Sequence, residues 1–412
     1  MPVEPGLDLE TRLVRLIRGA LTSDAMVGVA LSGGGDSVAL LHVCLAAGLT
    51  VEAVTVDHGL RAESATEAAG VAAACAALGV RHEVRIWQHG VVTGNLMDQA
   101  RRARLALIGG WARDRGINGV ALGHTRDDQA ETVLMGLARS AGIDGLAGMR
   151  RGWEAEGVRF CRPLLEAGRE ELREYLRGKG VAWIDDPTNE DDRFARVKAR
   201  RALAALAPLG ITAEGLATVA GNLAQAQAAL AVQVAEAAAR VLREEAGSVV
   251  IDRDALLALP GEVRRRLILA VVQWVSGADY PPRHASIERM DLLIKARLDG
   301  TLWGCRLLGG DSPRLLRERA AVSGEVAQIG EVWDARWVLE GPDAPGAVVR
   351  RLGAEGVRLC PDWRATGLPR EVLEVTPALW AGENLLAAPV AGLGNGWNAR
   401  IAAPFDLFGV SH

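Results

Sequence analysis

An α/β fold built on a doubly wound parallel sheet is predicted by three features of the N-terminal half. Short apolar runs of strand character alternate with longer helical runs. A triple-glycine turn joins the first strand to the helix after it. Polar segments follow the second and fourth strands, at the carboxyl edge where an open parallel sheet binds its ligands.

The first strand is expected at 27–31, and Leu31 to Val38 then read LSGGGDSV ahead of a helix at 37–47. Three successive glycines let the backbone curl until several N–H groups point into one hollow. The helix N-terminus adds partial positive charge, so the turn suits an anion. Ser32 and Ser37 supply hydroxyl donors. The spacing is neither GxxxxGK[ST] nor GxGxxG. A glycine turn that merely packs closely is the plain alternative, and the flanking serines and Asp36 argue against it. Further strands are expected at 51–57, 81–87 and 119–123, with helices at 62–78 and 95–115. The second strand runs into Asp57-His58-Gly59-Leu60-Arg61 and the fourth into Gly123-His124-Thr125-Arg126-Asp127-Asp128, so both segments should face the crevice of the glycine turn.

Thr125 or Asp127 can cap the helix that follows, which places Asp128 and Glu131 three apart on one face. Acids at a helix start often do no more than complement its dipole. Beside an anion site, however, paired carboxylates can hold magnesium or an ammonium group. His124 closes a strand at the ligand edge, a position suited to phosphate or proton-transfer work, with a satisfied core histidine as the alternative.

Composition describes a globular chain of two or three domains: 412 residues, 49% hydrophobic and 24% charged, with a net charge of −4. No apolar run approaches the roughly twenty residues that span a bilayer. The N-terminus lacks the order of a signal peptide, so a cytoplasmic location is expected. Five scattered cysteines without a CxxC pair suggest neither zinc nor a disulfide framework. Arginine supplies nearly all the positive charge, a bias that a GC-rich genome explains by itself. A local cluster of Arg193, Arg196, Lys198, Arg200 and Arg201 contains no acid and reads as either a solvated helix face or a phosphate-contacting one.

Six blocks in series carry a resemblance. SGGGDS at Ser32 has the form of the pyrophosphate loop of the N-type ATP pyrophosphatases. It is followed by VDHGLRAES from Val56, NLMDQARRAR from Asn95, GHTRDDQAETVLMGLARSAGIDGLAGM from Gly123, RPLL from Arg162 and WIDDPTNEDDRFAR from Trp183. In order and spacing the chain resembles the bacterial tRNA(Ile)-lysidine synthases across some 170 residues.

The resemblance implies a PP-loop ATPase domain of the adenine nucleotide alpha hydrolase-like type at 1–210. A helical tRNA-recognition domain at 211–298 and a small C-terminal α+β domain at 299–412, also tRNA-binding, would follow. The implied reaction adenylates the C2 oxygen of the wobble cytidine in an isoleucine tRNA with a CAU anticodon, and free lysine then displaces AMP to give lysidine. ATP and Mg would bind at Ser32, Gly33, Gly34, Gly35, Asp36 and Ser37, with Asp57 and His58 beside them and Asp36 either holding the metal or organising the loop. Asp128 and Glu131 would bind lysine. Asp36, His124, Arg101 and Arg104 would form the catalytic set, with the two arginines and the histidine facing phosphates or tRNA. The 193–201 cluster would contact tRNA. Oligomeric state is left open, a homodimer included.

Two departures stand out. Val197 occupies a position where the family commonly has Asn, and the terminal domain carries Trp333, Trp337, Trp363, Trp380 and Trp397, whose expected role is packing rather than base stacking. Two other functions fit parts of the pattern. A tRNA thiolation enzyme would need reactive cysteines, and an ATP sensor would have no use for Asp128 and Glu131.

Overall fold

The computed structural model describes residues 8–21, 26–59, 64–88, 96–185, 195–278 and 280–405. The chain divides into two compact units, Met1–Gln227 and Ala228–His412. Among the described residues no single helix is long and apolar enough to cross a membrane.

The first unit begins with α1 (Leu9–Ala20), β1 (Val27–Ala30), α2 (Gly35–Ala46), β2 (Val51–Asp57), α3 (Ser64–Ala77), β3 (Arg81–Ile86), α4 (Leu96–Asp114) and β4 (Gly119–Leu122). From β1 to β4 these bounds lie within two residues of those expected from the sequence; no expectation covered α1. There follow α5 (Arg126–Leu137), α6 (Ile143–Leu146), β5 (Gly152–Ala155), β6 (Val158–Cys161), α7 (Arg169–Gly178) and α8 (Ala195–Leu206). The strands form one sheet in the order β3-β2-β1-β4-β6-β5. All pairs are parallel except the edge hairpin β5–β6.

The period-two alternation of strand side chains divides the core between the two sheet faces. Val27, Val29, Val51, Ala53, Ala121 and Cys161 pack with α1, α2, α3 and α7. Their neighbours Ala30, Val54, Val120, Leu122, Val158 and Phe160 pack on the other face with Ile108, Trp111 and Ala112 of α4. Each fully buried aliphatic side chain contributes about 1.5–3 kcal/mol. A β-carbon on Gly28 would lie 2.8 Å from Trp111, so the absent side chain makes room for the indole.

Strand order reverses at the β1–β4 pair: the chain winds outward from β1 to β3 and then returns to β4. Diverging connections open a crevice at such a switch point. The turns after β1 and β4, carrying Ser32–Gly34 and Gly123–Thr125, are brought side by side there.

The long α9 (Ala213–Val241) carries the boundary between the units within its length. The second unit continues with β7 (Leu242–Glu245), β8 (Ser248–Ile251), α10 (Arg253–Leu257), α11 (Gly261–Ser276), α12 (His284–Ala296), β9 (Gly300–Leu302), β10 (Cys305–Leu308) and β11 (Arg314–Arg317). The segment 211–298 is therefore helical apart from one hairpin, which the sequence reading missed. Its strands have four residues each, and its turn places Ala246 and Gly247 at φ values of 51° and 70°. Alanine is not a residue that announces a left-handed turn. The hairpin joins a five-stranded sheet in the order β7-β8-β11-β10-β9, with Leu267 and Val271 of α11 in its core. Beyond it are a four-stranded and a three-stranded sheet. Trp333, Trp337 and Trp380 are buried, as packing residues should be.

Candidate active site

The glycine turn positions donors through a few specific contacts. Gly33 has a φ of 84°, and a β-carbon there would come within 3 Å of Ile184 and Val71. Ile184 also donates its N–H to the Gly33 carbonyl at 2.9 Å, and the indole of Trp183 lies against Gly35. Trp183 and Ile184 thus buttress the turn from behind. Ser37 accepts the Ser32 N–H at 3.1 Å and donates to the Gly34 carbonyl at 2.9 Å, so its hydroxyl braces the loop. Gly34 caps α2 without any side-chain bond, which leaves the first N–H groups of the helix open to an anion. Gly123 brings the end of β4 against this helix start, since a β-carbon there would lie 2.9 Å from the Asp36 carbonyl oxygen. At the end of β2, Asp57 accepts the Gly59 N–H at 2.8 Å, and His58 meets Trp87 edge-on.

Thr125 caps α5 in a reciprocal box with Asp128: the Asp128 Oδ2 accepts both the Thr125 N–H at 2.8 Å and its hydroxyl at 3.0 Å. Glu131 lies one turn further along and is 1% exposed. The structure brings Asp36, Asp128 and Glu131 together around one guanidinium, that of Arg169. Its Nε donates to Asp36 at 3.3 Å, and its two Nη atoms donate to Asp128 and Glu131 at 3.1 Å each. The sequence reading missed this residue. A signal was available, because Arg169 is the first residue of α7, where the helix dipole disfavours a cation. Its backbone N–H donates to Asp127 Oδ2 at 2.7 Å.

Burial raises the Asp36 pKa to about 6, with Arg169 pulling against that rise and Asp128 adding to it. Burial also opposes ionisation of Asp128, but the Arg169 charge and the Thr125 N–H outweigh it and hold the carboxyl below the usual range. Arg169 is held firmly charged: its own burial works the other way, and the three carboxylates overcome it.

A second, cationic cluster surrounds His124. Arg162, the first residue of the RPLL block, donates to His124 Nδ1 at 3.1 Å and to the Arg150 carbonyl at 2.6 Å, and lies 4.1 Å over the Trp153 ring. Burial and the Arg162 charge lower the His124 pKa to about 3. Burial, then Arg101 and Arg196, lower that of Arg162 to about 10, and Arg104 is shifted down by the same causes. Like charges crowded together in this way favour an incoming polyanion.

Within the basic cluster of 193–201, Arg196 belongs to the group around His124, whereas Arg200 donates to Glu131 Oε1 at 3.0 Å. Lys198 and Arg201 are exposed on α8. Arg193 lies outside the described residues. Among the described residues no three His, Cys, Asp or Glu side chains gather as a metal cage.

An open helix N-terminus at the switch point of a parallel sheet, with a carboxylate cluster on one side and an arginine cluster on the other, defines a nucleotide-using enzyme of the PP-loop class. Residues 7–207 match the PP-loop domain family. The chain is 48% identical over 387 residues to a tRNA(Ile)-lysidine synthase of Ruegeria pomeroyi, covering 93% of this chain and 92% of that one. It is 37% identical over 292 residues to one of Bradyrhizobium (66% and 81% covered) and 33% identical over 387 residues to one of Brucella anthropi (87% and 84%). The chain belongs to the tRNA(Ile)-lysidine synthase family.

Its cysteines fit that membership better than sulfur transfer. All five are free and buried, and burial raises Cys44 to about 12 and Cys161 to about 11. A thiol held protonated in a core is a poor nucleophile.

Proposed function

We propose that the crevice at the β1–β4 switch point carries out both halves of lysidine formation. The enzyme ligates lysine to C2 of the wobble cytidine in tRNA(Ile) with a CAU anticodon, consuming ATP and releasing AMP and pyrophosphate. In the first half the C2 oxygen attacks the α-phosphorus and pyrophosphate leaves. In the second the lysine ε-amine, having lost its ammonium proton, attacks C2, and AMP departs with the oxygen. The protein's share is positioning and charge neutralisation.

In this reading the N–H groups of Gly34, Gly35 and Asp36 receive the phosphates, with Ser32 beside them and Ser37 bracing the loop. Asp57 and His58 border the nucleotide. Arg101, Arg104 and Arg196 neutralise phosphate charge. His124, held neutral, donates a hydrogen bond from Nε2 to a phosphate or to the base oxygen. Magnesium would supply Lewis-acid stabilisation of the phosphates. Asp36 is its one candidate protein ligand, which suits an ion that keeps waters and substrate phosphates in its shell. Lys198 and Arg201 would meet the tRNA backbone. Lysine is received at Glu131 and Asp128, and the substrates assign the enzyme to the cytoplasm.

One observation carries the lysine assignment: Glu131 Oε2 is buried and, among the described residues, has no hydrogen-bond partner. A buried carboxylate oxygen left without a donor is costly, and an ammonium removes that cost. The test is mass spectrometry of an unmodified tRNA(Ile) transcript incubated with the protein, ATP, magnesium and lysine. The expected product is heavier by one lysine less one water, and only when both ATP and lysine are present. A product of unchanged mass would refute the reading.

A further inference from the structure

We propose that Arg169 is the positioning residue of the lysine step: it occupies one oxygen each of Asp128 and Glu131 and leaves Glu131 Oε2 as the acceptor that meets the incoming ammonium. The inference rests on the reading of Glu131 and Asp128 as the lysine grip.

The argument is an accounting of acceptors. Asp128 Oδ2 is taken twice by Thr125, at 2.8 and 3.0 Å, and Oδ1 by Arg169 at 3.1 Å. Glu131 Oε1 is taken by Arg169 at 3.1 Å and by Arg200 at 3.0 Å. Among the described residues, Glu131 Oε2 is the one oxygen of this pair left without a donor, and it is enclosed. Three carboxylates are thus hydrogen-bonded by two guanidinium groups, and one enclosed carboxylate oxygen remains to meet an ammonium. Asp128 becomes the fixed wall of the seat and Glu131 its open contact.

A planar fork holds three carboxylates in fixed directions at once. A lysine at this position would bring the charge as a point and release at least one of the carboxylates to rotate. The arginine is itself fixed at both ends. Its backbone N–H is tied to Asp127, and its side chain is 14% exposed. Through Nε it also reaches Asp36, so one side chain spans the phosphate loop and the lysine seat.

Arg169→Lys keeps a cation beside Asp36 and loses the fork. The KM for lysine should rise about tenfold or more, the scale of one charge-assisted hydrogen bond, while tRNA-dependent pyrophosphate release without lysine falls less than about threefold. Arg169→Gln removes the cation. The hydrogen bonds to Asp128 and Glu131 are then both lost, so the KM for lysine should rise further than in Arg169→Lys.

An unchanged lysine KM in Arg169→Lys would overturn the proposal. So would an equal fall of both half-reactions together with a lowered melting temperature, which would mark a merely structural role. Glu131→Gln, assayed alongside, separates the two readings. If it leaves lysine use intact, the lysine seat lies elsewhere and both fail; if it raises the KM while Arg169→Lys does not, only the role of Arg169 fails.

Discussion

Arg162 donates its Nε proton to His124 Nδ1 at 3.1 Å. A guanidinium has donors only, so His124 presents a lone pair at Nδ1, and the proton of the neutral ring sits on Nε2. The histidine at the end of β4 is therefore a neutral hydrogen-bond donor rather than a cation for phosphates.

This pairing has a consequence for stability. The native state resists protonation of His124 down to about pH 3, whereas the unfolded chain takes the proton near 6.5. Native stability should thus fall as pH drops through that window, by up to about 1.4 kcal/mol per pH unit from this group. Asp36, whose native pKa is about 6, works in the opposite direction between 6 and 3.8. The quantity to measure is accordingly the difference between wild type and His124→Gln in denaturant unfolding from pH 7 to 4, where the variant should show the shallower loss.

In the proposed mechanism Asp36 sets the acid limit of the first half-reaction. If adenylation uses the carboxylate, pyrophosphate release in the free enzyme should fall below about pH 6. Asp36→Asn should lower the rate at neutral pH by about a hundredfold or more, comparable with removing one preorganised electrostatic group. Stopped assays of tRNA-dependent pyrophosphate release across pH 5–8 would check both, and a flat profile in wild type would contradict the assignment.

Asp128 and Glu131 should separate under mutation. Glu131→Gln keeps the shape and loses the charge, so the KM for lysine should rise about ten- to hundredfold, equivalent to about 1.5–3 kcal/mol. Asp128→Asn weakens the capping box with Thr125 as well as the Arg169 contact, and should lower unfolding stability by about 1 kcal/mol or more. Thermal melts read beside lysine titrations would distinguish the two.

Lys198 and Arg201, both exposed on α8, test the proposed RNA face; Arg200 is not used because it donates to Glu131 and its loss would disturb the site. Replacing Lys198 and Arg201 with Ala should weaken tRNA binding and reduce the slope of log K against log salt by about 1–2, through fewer released counterions. Filter binding across a salt series measures that slope.

Gly123→Ala tests the closeness of the two turns. The new β-carbon would lie 2.9 Å from both the Asp36 carbonyl oxygen and the Ser37 α-carbon, both backbone atoms that cannot swing aside. Stability should fall by about 1–3 kcal/mol, the cost of overpacking, and the apparent affinity for ATP should fall with it.

What could be read from the sequence followed range along the chain. The strand–glycine–helix turn, the capping of α5 by Thr125 and the spacing of Asp128 and Glu131 are local, and each follows from residues within one turn of one another. Arg169 and Arg162 act across 38 or more residues, and nothing in their neighbourhoods names their partners. Arg200 looked like one more member of a basic helix face, and only the packing of α8 against α5 turns it toward Glu131. The hairpin at 242–251 was hidden by its shortness and by an alanine in a left-handed conformation.

Gly34 shows where folding and chemistry want different residues. Its φ is −70°, and a β-carbon there would touch only the Ser32 hydroxyl, at 3.6 Å, so neither backbone nor packing demands glycine. Serine or aspartate would cap α2 and stabilise it by a few tenths of a kcal/mol, with an oxygen seated over the N–H groups meant for phosphate. A variant library ranked on heat resistance alone would therefore enrich chains whose own side-chain oxygen competes with the proposed phosphate for these N–H groups.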